Sequence, residues 1–115
     1  MEIVTEDPDS ASLLTLFMAA ALRERAGELD RTAPRGELAI EAGGMAVTLD
    51  CSAERIVVRE GIGAAPRARL RSSLEALVEI ARGRLGGPLA SRRARVRGNP
   101  LALLPLARAF RAGAS

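Results

Sequence analysis

Between residues 37 and 59 the chain holds three short segments in which apolar and polar side chains take turns, and short turns separate them. Glu37-Leu38-Ala39-Ile40-Glu41 is the first. In the second, Met45, Val47 and Leu49 alternate with Ala46, Thr48 and Asp50; the third is Arg55-Ile56-Val57-Val58-Arg59. A period of two sends successive side chains to opposite faces, so each segment is predicted as a half-buried strand. Ala42-Gly43-Gly44 supplies a Gly-Gly hairpin, because glycine alone accepts a positive φ at both central positions without strain. Ser52-Ala53-Glu54 is a second tight turn. The result is an antiparallel three-strand meander, and everything else in the chain must pack against it.

The flanking segments follow a different period. Asp7-Pro8 reads as a helix start, with Leu13, Leu14, Phe17, Met18, Ala21 and Leu22 recurring at helical spacing and Gly27 ending the run. Residues 28–35 read as a polar loop. Residues 61–66 mark a change of direction, and residues 67–71 alternate again with Ala68 and Leu70 inward. Ser72-Ser73-Leu74-Glu75 has the form of a capping box. The helix behind it is predicted to bury Leu74, Leu77, Val78 and Ala81 and to stop at Gly83. Residues 93–97 give a fifth strand, and Gly98-Asn99-Pro100 opens a last helix with Leu103, Leu106, Ala107 and Phe110 on one face. Pro105 should kink that helix or delay its start. The predicted class is α+β: a single five-stranded, mostly antiparallel sheet with helices packed on one face. Residues 1–115 form one domain, with residues 1–9 an acidic N-terminal segment.

Several chemistries are excluded by what the chain lacks. It contains no His, and all 17 basic residues are Arg. Without His or Lys there is no Ser-His-Asp triad, no Cys-His pair, no His-ligated metal and no phosphate-loop lysine. Cys51 is the single cysteine, which forbids an intrachain disulfide and a zinc cluster. The expectation is a protein that is not an enzyme and needs no cofactor or metal. Glu2, Glu6, Asp7 and Asp9 are the reverse of a signal peptide's basic start. The apolar run of residues 13–22 is about half a ~20-residue membrane span. The chain is therefore expected in the cytoplasm.

From Arg67 onward the pattern resembles the sterol carrier protein 2 lipid-transfer domains. A strand ending at Ser72 leads into a helix through Leu74, Glu75 and Leu77. Gly83-Arg84-Leu85 and Pro88-Leu89-Ala90 follow, then the basic strand Ala94-Arg95-Val96-Arg97, the Gly98-Asn99 turn and a leucine-rich helix. Upstream, the helix and meander occur in that family's order. Some positions depart from it: Ser52-Ala53-Glu54 stands where an Asp-Gly hairpin is frequent, and Ser91 where an aromatic is common. The resemblance implies an apolar tunnel between sheet and helices that takes a fatty acyl chain, a sterol or a similar lipid. Its wall would come from the inward residues: Leu14, Phe17, Met18 and Leu22 facing Ile40, Met45, Val47 and Val58, with Leu77, Val78, Leu85, Leu103, Leu106 and Phe110 on the other side. The same residue types also build a plain packed core. Only Phe17 and Phe110 are aromatic, and aromatics fill the most volume per residue. Arg84 and Arg108 are candidates to hold a carboxylate or phosphate head.

Charge divides along the chain. Residues 1–60 carry 12 acids against 6 arginines (net −6), and residues 61–115 carry 2 acids against 11 arginines (net +9). By alternation Arg67, Arg69 and Arg71 share one face of their strand and Arg93, Arg95 and Arg97 one face of theirs. That face is expected to point away from the helices and to be either a solvated surface or a contact for something anionic: a membrane, an acidic protein or the acidic first half of a neighbouring copy. An alternative to lipid carriage follows, an interaction module with a filled cavity that docks through the arginine face. Nucleic acid is disfavoured, since no outward aromatic offers a stacking platform.

Overall fold

The computed structural model describes residues 1–84 and 94–112. The segment expected to be an acidic lead-in is a strand, β1 (Glu2–Thr5). It is followed by a single 3-10 turn (Pro8–Ser10), α1 (Leu13–Glu24) and α2 (Ala26–Thr32). The meander is β2 (Gly36–Ala42), β3 (Met45–Cys51) and β4 (Arg55–Glu60). β5 (Ala68–Ser72), α3 (Leu74–Ala81), β6 (Ala94–Gly98), a second 3-10 turn (Pro100–Leu103) and α4 (Leu104–Ala112) complete it. The described strands form one six-stranded sheet in the order β1-β4-β3-β2-β5-β6. The expectation of five mostly antiparallel strands is corrected: β1–β4 and β2–β5 pair parallel, and the other three pairs are antiparallel.

β1 is short and carries no pattern of its own. It forms because β4 offers an edge: Ile3 aligns with Ile56 and Val4 with Val57, while Glu2 pairs with Arg55 at 3.0 Å and Glu6 with Arg59 at 2.9 Å. The hairpin between β2 and β3 forms as expected, with Gly43 and Gly44 at φ 60° and 76°. β4 and β5 lie on opposite sides of the β3–β2 pair, so residues 61–67 must cross both strands. They cross on the face away from the helices. Thr48 and Ala39 point to that face by alternation yet are fully buried. The Thr48 hydroxyl donates to the Gly61 carbonyl and accepts from the Gly63 N–H, both at 2.8 Å, and the Glu37 carboxylate accepts from the Ala65 N–H at 3.2 Å. A Cβ at position 63 would lie 2.8 Å from a Glu37 carboxylate oxygen, so a larger residue there requires the Glu37 side chain to shift.

The first helix starts later than the Asp7-Pro8 pattern predicts. Asp7 adopts a left-handed conformation and makes no side-chain cap. The cap is Ser12, whose hydroxyl accepts from the Thr15 N–H at 3.3 Å. Glu60 completes it from the end of β4: its carboxylate accepts from the Ser12 N–H at 2.6 Å and from the Thr15 hydroxyl. Those bonds, that from Thr15 first, hold the Glu60 carboxyl below its ordinary value of 4.5. A lowered folded pKa adds stability that is complete above the unfolded value and is lost as pH falls through the folded one. An exposed acid at a helix N-terminus is worth about 0.3–1 kcal/mol, toward the low end where solvent screens it. Glu60→Gln is therefore expected to lower Tm by about 1–3 °C at neutral pH. The gap should close in acid, as wild-type Glu60 protonates. A gap that persists in acid would mean Glu60 acts through packing alone.

The helices do not end or cap where the sequence placed them either. Gly27 lies inside α2 rather than ending a helix, and Leu29 of that supposed polar loop is fully buried. α3 is capped by Ser73, which accepts from the Ala76 N–H at 3.1 Å, one residue beyond the Ser72 cap that the box predicts. It buries Ala76, Leu77 and Ile80, leaving Leu74 exposed. Pro105 delays α4 without kinking it: Asn99 caps a 3-10 turn, and Pro105 falls in the first turn of α4, where a missing N–H costs nothing. α1 lies over β1, β4 and β3, the second 3-10 turn over β2 and β5, and α4 packs against α2 and α3. The core sits between these helices and the inner face of the sheet.

Candidate functional site

The inner face of β2, β5 and β6 carries Ile40, Leu70 and Val96, all at the even alternation positions. Opposite them α3 contributes Leu77, Ile80 and Ala81, and the second 3-10 turn with α4 contributes Pro100, Leu103, Leu104, Leu106, Ala107 and Phe110. Met18 reaches in from α1. These residues do not close on one another. They border a cavity of about 250 Å³ that is partly open to solvent, and every described lining residue is apolar.

The residues expected on the tunnel wall divide. Met18, Ile40, Leu77, Leu103, Leu106 and Phe110 border the cavity. Leu14, Leu22, Val47 and Val58 are fully buried and packed into the core beneath α1, away from it. Phe17 and Met45 are partly buried against the same core, and Val78 is half-buried on α3 off the cavity. Leu85 lies outside the described residues. The remaining lining residues are Leu70, Ile80, Ala81, Val96, Pro100, Leu104 and Ala107. Leu70 and Val96 carried a signal, being the inward positions of their strands. Ile80 did not, because its helix face was set one position off. Arg84 and Arg108, the candidate head-group holders, are both exposed, and Arg108 adjoins the cavity residue Ala107 on α4.

The arginine face is divided too. Arg69 lies opposite Arg97, and Arg71 opposite Arg95, on the outer side of β5 and β6. Glu41 of β2 aligns with Arg71 and approaches Arg69 at 3.9 Å. Arg67 is not part of this group: it precedes β5, and its guanidinium donates to the Arg35 carbonyl at 3.1 Å. Arg93 lies outside the described residues.

Cys51 is buried at the end of β3, and its thiol is pushed up to about 12 by burial first and the neighbouring Asp50 charge second, against a smaller opposing pull from Arg35. That burial favours the neutral thiol at physiological pH. Among the described residues no helix is long and apolar enough to cross a membrane.

No protein-family model matches the chain, and no curated protein sequence is similar to it. Solved structures share its fold. UbiJ-SCP2, a ubiquinone synthesis protein, superposes with a TM-score of 0.69 at 15% identity, over 88% of this chain and 91% of its own. The sterol carrier protein domain 2 of Helicoverpa armigera gives 0.67 at 16% identity, over 96% and 94%. Palmitated SCP2L2 from Aedes aegypti gives 0.58 at 21% identity, over 87% and 95%. The architecture built above, from the 61–67 crossover to the helix layer, is the sterol carrier protein 2 fold.

Proposed function

We propose that this chain binds a hydrophobic ligand without chemistry, taking an acyl chain, sterol or similar lipid into the cavity between α3, α4 and the β2–β5–β6 part of the sheet. The observation that carries the reading is the lining: about 250 Å³ bounded, among the described residues, by apolar side chains alone. An unpartnered polar group would be costly there, so the inserted part of a ligand is hydrocarbon and its head stays at the rim. The driving force is burial, about 0.8 kcal/mol for each CH₂ withdrawn from water. That work needs neither a titrating base nor a metal, in keeping with a chain lacking His and Lys. The palmitated SCP2L2 structure of the same fold supports an acyl ligand by analogy. Carriage between membranes, in the cytoplasm, is the role this implies.

The test is direct. Organic-solvent extracts of the purified protein should contain lipid by mass spectrometry, and fatty acids should displace a fluorescent fatty acid. Affinity should rise roughly fourfold per added methylene until the cavity is full. An empty extract with no displacement would overturn the proposal and favour the alternative, an interaction module whose cavity is only a packing defect.

A further inference from the structure

The two faces of β5 and β6 differ completely. Ala68 and Leu70 belong to the core and Val96 borders the apolar cavity. By alternation Arg69, Arg71, Arg95 and Arg97 all stand on the outer face, with the sheet between them and the cavity. On these two strands that face presents arginine alone. Arg69 lies opposite Arg97 and Arg71 opposite Arg95, and like charges directly opposite on neighbouring strands destabilise a sheet. At the far end of the sheet the outward arginines are neutralised: Arg55 by Glu2 at 3.0 Å, and Arg59 by Glu6 at 2.9 Å and Asp50 at 3.3 Å. At this end Glu41 reaches only Arg69, loosely, at 3.9 Å. Among the described residues no hydrogen bond or ion pair reaches the side chain of Arg71, Arg95 or Arg97.

The strands hold these four side chains at set intervals. Outward residues recur about every 6.6–6.8 Å along a strand, and facing residues on the neighbouring strand are about 5 Å apart. An extended peptide repeats at the same interval, so carboxylates at its alternate positions fall in step with the arginines. Arginine holds carboxylates well, through paired, charge-assisted N–H···O bonds. The surface is also shaped. A recess of about 340 Å³ lies at the hairpin end of these strands, bordered by Glu41, Gly43, Gly44, Ala46, Arg71 and Ser72. The 61–67 crossover, bonded to Thr48, rises over β3 and β2 on the same face. The arginine strip is a shelf beside that ridge, wide enough for one extended segment laid along β5 and β6.

We propose that the outer face of β5 and β6 is a docking site for an extended acidic segment of a partner protein, whose alternate Asp or Glu side chains pair with Arg69, Arg71, Arg95 and Arg97. Such a segment relieves the repulsion that the free protein carries, and recognition of acidic segments by arginine clusters is a recurrent mode. Other occupants fit worse. A bilayer takes up apolar side chains as well as charge, and on β5 and β6 none stands on this face. Single-stranded nucleic acid adds aromatic stacking, and the only aromatics, Phe17 and Phe110, pack on the opposite side of the sheet. A second copy of the chain has few acids to offer from its own sheet. Glu2, Glu6 and Asp50 already hold arginines, and Glu37 accepts from the Ala65 N–H. The docking site and the cavity lie on opposite sides of the sheet, so the proposal does not depend on what the cavity holds.

The experiment is binding of a fluorescein-labelled peptide of alternating Glu and Thr, read by anisotropy over a salt series. Wild type should bind it and release it as salt rises. A peptide of the same composition with its Glu residues contiguous should bind severalfold more weakly, because only every second Glu of that block faces the strip. Arg95→Gln/Arg97→Gln should weaken binding of the alternating peptide on the order of tenfold or more. Arg23→Gln/Arg111→Gln removes the same charge from exposed positions on α1 and α4, and should bind like wild type. Without peptide, Arg95→Gln/Arg97→Gln should melt about 2–5 °C above wild type at low salt, since two like-charge pairs are relieved, and the gap should shrink at high salt. Failure of wild type to bind the alternating peptide, equal binding of the two peptides, or equal losses in the two double variants overturns the proposal. A lower Tm for Arg95→Gln/Arg97→Gln would mean that the arginines are compensated in the free protein, and overturns it as well. If an oligothymidylate, or vesicles containing phosphatidylglycerol, bind more tightly than the peptide through the same arginines, the face belongs to nucleic acid or to a bilayer, and the protein-docking proposal falls.

Discussion

Ala107→Phe is expected to weaken fatty-acid binding on the order of fiftyfold while raising the thermal stability of the protein. Ala107 is half-buried on α4 and borders the cavity. A phenyl ring there enters open space and displaces the part of the ligand that would fill it. Loss of about three methylene sites at about 0.8 kcal/mol each gives that factor. The protein itself gains buried apolar surface. Filling a true void commonly yields about 0.5–2 kcal/mol, part of which the lower helix propensity of Phe offsets. If the space were already packed, the same ring would force neighbours off their rotamers and cost about 1–3 kcal/mol. The two measurements together, displacement titration and thermal melting, separate a hollow layer from a filled one. A variant that melts lower than wild type and still binds fatty acid would contradict the cavity.

Leu29→Ala is expected to cost about 3 kcal/mol and to lower Tm by more than about 10 °C. α2 spans only seven residues, Ala26–Thr32, and includes Gly27. Helices so short are not stable by themselves. Leu29 is the single fully buried residue of α2, so truncating it removes what holds the helix to the core. α4 packs against α2 and supplies much of the cavity wall, which places the consequences beyond the mutated turn. Amide exchange should accelerate across residues 26–32 and 104–112 more than in β2 and β3. Denaturant melts showing a loss under about 1 kcal/mol, with exchange in α4 unchanged, would show that α2 is held by other contacts.

Much of the fold was legible because its signals are local. The period-two runs of β2, β3, β4 and β5 depend only on which face each side chain takes. Gly43-Gly44 announces its hairpin through a conformation that other residues resist. α3 has a serine cap whose position the sequence missed by one residue. The unread parts depend on segments far apart. β1 has four residues and no amphipathic repeat, and it becomes a strand by adding to the β4 edge. α2 looks polar because one leucine carries all its burial. The cap of α1 is shared with Glu60, which lies 48 residues away from Ser12. Asp7, the residue with the better local signal, stays unused as a cap. The candidate site was legible to the same extent. Inward positions such as Ile40, Leu77 and Phe110 follow from periodicity, but so do Leu14, Val47 and Val58, which pack solidly. Nothing in a side chain's own pattern distinguishes a residue facing a neighbour from one facing a void.

Local sequence was enough for the strand and helix periods, the turn chemistry, the division into an acidic first half and a basic second half, and the absence of His and Lys. These are properties of residue type and of spacing within a few positions. The tertiary structure alone decided which apolar residues border open space and which arginines remain uncompensated. Both depend on the lateral order β1-β4-β3-β2-β5-β6. That order brings Glu2 and Glu6 to Arg55 and Arg59 at one end of the sheet, and at the other sets Arg69 and Arg71 against Arg97 and Arg95. Alternation assigns a face to each side chain, while strand neighbours assign its partner, and charge compensation and packing are properties of partners.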